Sequence, residues 1–186
     1  MIVLSTDDEE IAQEGRRAGL DVPSLRPQEL ATDLASGYAV WRHALLDAEA
    51  RSGRQFDLAV LAQPTSPFRR PSDVTACLSR LVDSRLDAVV TVSPTPAHFT
   101  PEKTMVVADD GLLQPYLTAE RFQPTRQLIP SYYNLNGICY AARRDIVIER
   151  THVFDDKTGA VVIDRPTVNI DDPLDLELAR WLWERQ

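Results

Sequence analysis

Residues 58–72 restrict the fold of this chain more than any other stretch. Leu58 to Ala62 is an unbroken apolar run of strand length, the pattern of a strand buried on both faces. It stops at Gln63-Pro64-Thr65-Ser66-Pro67, a polar turn stiffened by two prolines. Pro71 and Ser72 then open a helix whose apolar stripe is Val74, Cys77, Leu78, Leu81 and Val82, at the spacing of one helical face. Ala88 to Val92 is the next apolar run. Strand, capped helix, strand predicts a βαβ unit of parallel strands with a right-handed crossover, and hence a Rossmann-like sheet. Ligands of such sheets bind beyond the carboxyl ends of the strands. Gln63 to Arg70 occupies that position with an amide, two hydroxyls and two guanidinium groups. Taken alone, the same residues also fit a Pro-rich turn with an N-cap.

The remaining pattern fills in around this unit. Ile2 to Leu4 reads as a buried strand, followed by capping boxes at Thr6/Glu9 and Ser5/Asp8 and a helix to Ala18 closed by Gly19. Val40, Trp41, Ala44, Leu45 and Ala48 predict a helix over 35–52, ended by Gly53. His43 on that helix has no second ligand at metal spacing. After Pro94 the pattern loosens into a hairpin (Thr104 to Val107 and Leu112 to Leu117 around Asp109-Asp110-Gly111) and an irregular stretch from Gln123 to Asn134. Tyr116, Phe122, Tyr132 and Tyr133 are many aromatics for so little regular structure, which favours an interface over a satellite core. Ile138 to Ala142 is a strand, Arg144 to Arg150 a short helix, and Val161 to Ile163 and Thr167 to Ile170 short strands. In the last helix Pro173 suits the first position and Asp172 the N-cap, with Asp175 in the first turn. Leu174, Leu178, Trp181 and Leu182 form its expected buried face. Asp171, at a strand end, is left without a structural job.

Bulk properties exclude several classes. A chain of 186 residues suffices for one domain with a core. Its net charge of −8 argues against sequence-independent binding of nucleic acid or anionic membrane. No apolar run approaches the roughly 20 residues of a membrane span, and no signal peptide precedes the first strand, so a cytoplasmic protein is expected. Cys77 and Cys139 have no metal or disulfide spacing and are expected to be buried thiols. None of the seven glycines falls in a G-x-G-x-x-G or Walker pattern.

Five blocks carry a resemblance: Val3 to Ala12 (V-L-S-T-D-D-E-E-I-A), Leu25 to Ser36 (L-R-P-Q-E-L-A-T-D-L-A-S), Gln63 to Arg69 (Q-P-T-S-P-F-R), Asn136 to Tyr140 (N-G-I-C-Y) and Asn169 to Asp175 (N-I-D-D-P-L-D). Their order and spacing resemble the sugar-acid cytidylyltransferases, the CMP-sialic acid synthetase family, over nearly the whole chain. The resemblance implies a Rossmann-like, GT-A-like three-layer α/β fold in a single domain over 1–186. The 94–135 segment would project as the dimerisation subdomain of a homodimer. It implies transfer of CMP from CTP to a 2-keto sugar acid with release of pyrophosphate. By the same resemblance Arg26, Ser36 and Gln63 contact the nucleotide, Ser66 binds substrate, and Asn136 and Gly137 line the sugar-acid pocket. The resemblance also makes Lys103 and Arg126 catalytic positive charges that face the acid's carboxylate or the phosphates. Asp171, with Asn169, holds Mg²⁺.

Three departures qualify the match. Many family members have two aspartates where Asn169 and Asp171 stand; an Asn offers a carbonyl oxygen but no charge. Gly37 replaces a second hydroxyl beside Ser36. The family's opening strand, Gly- and Lys-containing phosphate loop and helix have no counterpart, so the chain as given is expected to be N-terminally truncated and impaired. The alternative is a non-catalytic nucleotide or sugar-acid binding module needing a separate N-terminal piece. A transferase for another sugar or alditol phosphate fits the N-G-I-C-Y and L-R-P blocks less well.

Overall fold

The computed structural model describes residues 1–118, 122 and 125–185. In chain order these form α1 (Glu9–Arg17), α2 (Gly37–Ser52), β1 (Leu58–Leu61), α3 (Pro71–Val82), β2 (Ala88–Pro94), β3 (Met105–Val107), β4 (Leu113–Pro115), β5 (Tyr133–Arg143), α4 (Arg144–Glu149), β6 (Thr158–Val162) and α5 (Pro173–Trp183). Four strands make one sheet in the order β1-β5-β2-β6, and β3 and β4 pair separately.

The sheet is mixed rather than all parallel. β5 runs antiparallel to β1, with Leu58 opposite Arg143 and Leu61 opposite Tyr140. It is also antiparallel to β2, because Arg143 N donates to Asp87 O at one end and Thr95 N to Tyr132 O at the other. β1 and β2 therefore point the same way, as their βαβ pattern predicts, with a returning strand between them. Periodicity reports which residues are buried, not which strand lies alongside. β1, expected to be covered on both faces, is half-buried throughout and stands at an edge of the sheet, whereas Ala88 to Val92 are fully buried.

The chain divides into two compact units. The first comprises Met1–Leu61, Leu78–Val89 and Tyr140–Gly159. Its core holds Trp41, Leu45 and Ala48 of α2 with Leu81, Ala141, Ile146 and Val147. Arg143 donates to the carbonyls of Leu81, Ser84 and Leu86, and Arg42 to those of Val147 and Arg150. Ile2 to Leu4 forms only a bridge, Val3 to Asp21, with Ile2 exposed. The α1 cap is Asp8, accepting from Ile11 N at 2.9 Å, while the Thr6 hydroxyl accepts from Asp8 N. The helix starts at Glu9, later than the two predicted hydroxyl caps imply, so Asp8 is the residue in the cap position.

The second unit comprises Ala62–Cys77, Val90–Cys139 and Ala160–Gln186. Phe68, Val168 and Ala179 are its packed cluster, with Ile170 and Leu182 against them. α5 begins as expected, Asp172 capping it with Pro173 at the first position. Its buried face is narrower than expected: Ala179 is covered and Leu182 packs against the cluster, while Leu174, Leu178 and Trp181 are 71%, 46% and 51% exposed. Thr167 to Ile170 is extended loop, tied to the neighbouring loop by Ile170 N donating to Thr65 O. The β3–β4 hairpin forms in the expected place, with Val106, Val107 and Leu113 exposed. Gln123 and Pro124 of the expected irregular stretch lie outside the described residues. Cys77 and Cys139 are buried free thiols, and the hydrogen bond between them together with burial pushes the Cys139 thiol far up. No helix among the described residues is long and apolar enough to cross a membrane.

In the first unit Arg144 donates to both oxygens of Glu49, at 2.7 and 2.9 Å, and Phe56 N adds a third bond. These bonds, Arg144 first, hold the Glu49 carboxyl below its ordinary value. A carboxyl with a lower pKa folded than unfolded stabilises the fold above its unfolded pKa of about 4.3. That contribution is lost as pH falls from there through the folded value. Urea titrations over a pH series should therefore show the unfolding midpoint dropping below about pH 4.3, with Glu49→Gln lower at neutral pH and falling less steeply in that window.

Candidate active site

The polar turn after β1 is closed by backbone bonds. Gln63 N donates to Gly137 O at 3.2 Å, and Ser66 N to Gln63 O at 3.2 Å. These bonds turn Thr65 and Ser66 toward residues 169–171. The Ser66 hydroxyl, 1% exposed, lies 2.8 Å from Asn136 O and 3.1 Å from Asn169 Oδ1, so its single proton is shared between two acceptors. The Thr65 hydroxyl donates to Asn169 Oδ1 at 2.9 Å, and Asn169 Nδ2 donates to Asp171 Oδ2 at 2.7 Å. Three stretches far apart in sequence thus meet in one chain of hydrogen bonds that ends on an exposed carboxylate.

Gly137 makes the close approach feasible. Its φ is +68°, and a Cβ there would stand 2.3 Å from Gln63 Oε1 and 2.4 Å from Ser66 Oγ. Asn136 is held from within the fold. Its side chain is 6% exposed, accepts from Thr91 Oγ1 (2.6 Å) and Ile138 N (3.2 Å), and donates to Ser93 Oγ (3.0 Å). Thr91, which also accepts from Cys139 N, was overlooked. A threonine inside the apolar run A-V-V-T-V was the signal that could have found it, since a buried hydroxyl needs partners.

The guanidinium groups of the turn are also spent largely within the protein. Arg69 donates to Ile138 O at 2.5 Å and Gln63 O at 2.7 Å, and burial lowers its pKa. Arg165 donates to both oxygens of Asp73, at 3.1 and 2.6 Å, and to Phe68 O. Arg70 alone of the turn's two arginines is exposed.

Asp171 precedes the α5 capping box, in which Asp175 accepts from the amides of Asp171 and Asp172. Its own carboxylate is left facing outward, a hard oxygen donor suited to Mg²⁺. Asn169 fits less well: its carbonyl oxygen faces the Thr65 and Ser66 hydroxyls, so the group turned to Asp171 is the amide nitrogen, which binds no metal. No cluster of three or more His, Cys, Asp or Glu side chains suited to a metal occurs among the described residues. The chain therefore supplies one carboxylate, which suits Mg²⁺ where phosphates and water complete the shell.

Lys103 sits at the end of a 3₁₀ turn, Pro101–Lys103, and Arg126 opens another, Arg126–Leu128. Neither side chain makes a hydrogen bond or ion pair among the described residues, and neither contacts the Ser66–Asn169 cluster. In the first unit, Arg26 Nη2 donates to Asp7 Oδ1 at 2.6 Å, which lowers the Asp7 pKa, and its buried Nε has no partner. Ser36 is the N-cap of α2, accepting from Tyr38 N at 3.3 Å.

No protein-family profile matches the chain. It is 30% identical over 182 residues to the post-translational flagellin modification protein B of Campylobacter coli, a match spanning 97% of this chain and 76% of that protein. It is 29% identical over 190 residues to the CMP-N,N'-diacetyllegionaminic acid synthase of Legionella pneumophila, across 98% and 78%. The chain belongs to the sugar-acid cytidylyltransferase family. The fold agrees: a CMP:2-keto-3-deoxy-manno-octonic acid synthetase solved with CTP superposes with a TM-score of 0.62 at 19% identity, covering 97% of this chain and 79% of that one. In this member of the family, then, the Q-P-T-S-P turn, the N-G pair and the N-I-D stretch are brought together by direct hydrogen bonds.

Gly137→Ala tests that packing. A side chain forced to positive φ against Gln63 and Ser66 should cost about 1–3 kcal/mol, read as a lower urea midpoint. An unchanged midpoint would mean that the turn at 63–66 gives way freely.

Proposed function

We propose that this cytidylyltransferase moves CMP from CTP onto the anomeric hydroxyl of a 2-keto sugar acid, sialic acid or a related nonulosonic acid. The observation that carries the reading is the outward carboxylate of Asp171, held by Asn169 and through it by Ser66, in a chain of this family. In the reaction the anomeric oxygen forms a bond to the α-phosphorus while the bond from that phosphorus to the β-bridging oxygen breaks. Pyrophosphate leaves, and the hydroxyl proton passes to it or to solvent. No protein nucleophile is required, so positioning and charge stabilisation supply the acceleration.

Each residue has a role consistent with its setting. Asp171 provides the oxygen for Mg²⁺, and Asn169 fixes the direction of that carboxylate. Bound Mg²⁺ supplies neutralisation of the triphosphate. The Gln63 amide, beside Gly137, and the Ser66 turn recognise the nucleotide. Lys103 and Arg126, both without a partner among the described residues, attract the acid's carboxylate. The exposed apolar residues of the β3–β4 hairpin, with Tyr116, fit a homodimer interface.

One observation favours a second reading, a nucleotide or sugar-acid binding module without turnover. Arg69 and Arg165 give their hydrogen bonds to internal acceptors, leaving little positive charge beside Asp171 for a triphosphate. Pyrophosphate release from CTP and Mg²⁺ with a panel of sugar acids separates the two: acid-dependent release supports the transferase, and saturable binding without release supports the module. For the transferase, Asp171→Ala should lower kcat at least about a hundredfold and Asn169→Ala about tenfold. Unchanged rates would remove Asp171 from the site.

Charging the hairpin tests the assembly. Val106→Asp with Leu113→Asp should convert a dimer to a monomer in sedimentation without loss of helical signal. A wild-type monomer at micromolar concentration would contradict the dimer.

A further inference from the structure

A cavity of about 360 Å³ lies in the second unit beside the Ser66–Asn169 cluster, lined by Ser93, Pro94, Ile163, Asp164, Pro166 and Thr167, with Arg165 at its wall. It adjoins the proposed site through two bonds of the structure. Ser93 Oγ accepts from Asn136 Nδ2, whose residue receives the Ser66 hydroxyl on its carbonyl. Thr167 stands two residues before Asn169, its hydroxyl 3.5 Å from Ser93 Oγ.

The lining specifies what fits. Because Ser93 Oγ already accepts from Asn136, its proton is available to a ligand oxygen or to Thr167. Asp164 is exposed, accepts only, and has no partner among the described residues. The charge of Arg165 is offset by Asp73, which accepts from both of its terminal nitrogens while Phe68 O accepts a third bond, so Asp164 is the unbalanced charge of the lining. The cavity is therefore negative, and a carboxylate or phosphate would be repelled. Ile163, Pro94 and Pro166 supply flat apolar surface suited to the C–H faces of a carbohydrate. Its size is within the range of small-molecule sites.

We infer that this cavity receives the uncharged, hydroxyl-bearing end of the sugar acid, the end remote from the carboxylate and the anomeric carbon, and so selects acids by the length and polarity of that end. The inference rests on the transferase reading above. Hydroxyls of the tail donate to Asp164 and exchange hydrogen bonds with Ser93 and Thr167, while the carboxylate is kept out and left to Lys103 and Arg126.

The test is steady-state kinetics of the full chain with CTP, Mg²⁺, a nine-carbon 2-keto acid with a three-carbon hydroxylated tail and an eight-carbon acid with a two-carbon tail. Thr167→Val and Asp164→Asn should each raise KM for the nine-carbon acid about three- to tenfold, the loss of one hydrogen bond. KM for the shorter acid should move less than twofold, as should kcat and KM for CTP. Thr167→Ser, which keeps the hydroxyl, should restore the wild-type value. Equal changes for both acids, or none for either, would overturn the inference while leaving the transferase standing. Failure of the unaltered chain to turn over any acid would sink the transferase reading and this inference with it.

Discussion

A single buried proton holds the site together. The Ser66 hydroxyl is enclosed between the Asn136 carbonyl and the Asn169 side chain. Without it, the Asn136 carbonyl would lose this donor inside the protein, a penalty of about 1–3 kcal/mol for an unsatisfied buried group, and Asn169 Oδ1 would keep the Thr65 hydroxyl alone. The geometry around it follows. Gly137 must lack a side chain because Ser66 and Gln63 occupy that space, and Asn169 must turn its carbonyl inward, which aims its nitrogen at Asp171.

Charge is distributed by the same economy. The second unit buries Asp73 and satisfies it with Arg165, and Arg69 ties the turn to β5 through two carbonyls. These groups fix the loops at the cost of being unable to leave them. Facing outward are acid at Asp171 and Asp164, the Arg70 side chain of the turn, and, in the 94–135 segment, Lys103 and Arg126, which are unpaired among the described residues. A divalent cation is the natural complement of such an acidic mouth when the ligand is a triphosphate.

Much of this was legible before any coordinates. The β1 turn, the α3 stripe, the Gly53 stop, the hairpin and the Asp172 cap with Pro173 all follow from short-range chemistry, and short-range chemistry is what a sequence displays directly. The meeting of Gln63–Ser66 with Asn169–Asp171 was legible only because ordered motifs resembled a family. What could not be read was pairing at a distance. Nothing in I-C-Y-A-A says that β5 returns between β1 and β2. Asn136 beside Gly137 looks like a turn residue until Thr91 and Ser93 are known to face it. The stripe Leu174, Leu178, Trp181 has helical spacing, yet α5 packs through Ala179 and Leu182, because periodicity identifies an apolar face without showing which neighbour covers it.

The central claim is that the Ser66–Asn169–Asp171 chain of hydrogen bonds marks where nucleotide and metal meet. Paramagnetic broadening of backbone amide resonances by Mn²⁺, substituted for Mg²⁺, reads this directly. With CTP present, amides of residues 65, 66, 137, 169 and 171 should broaden first, and Asp171→Asn should abolish the effect. Broadening that starts elsewhere, as at Asp109 and Asp110 of the hairpin, or that is the same with and without CTP, would place the metal and the nucleotide away from this cluster.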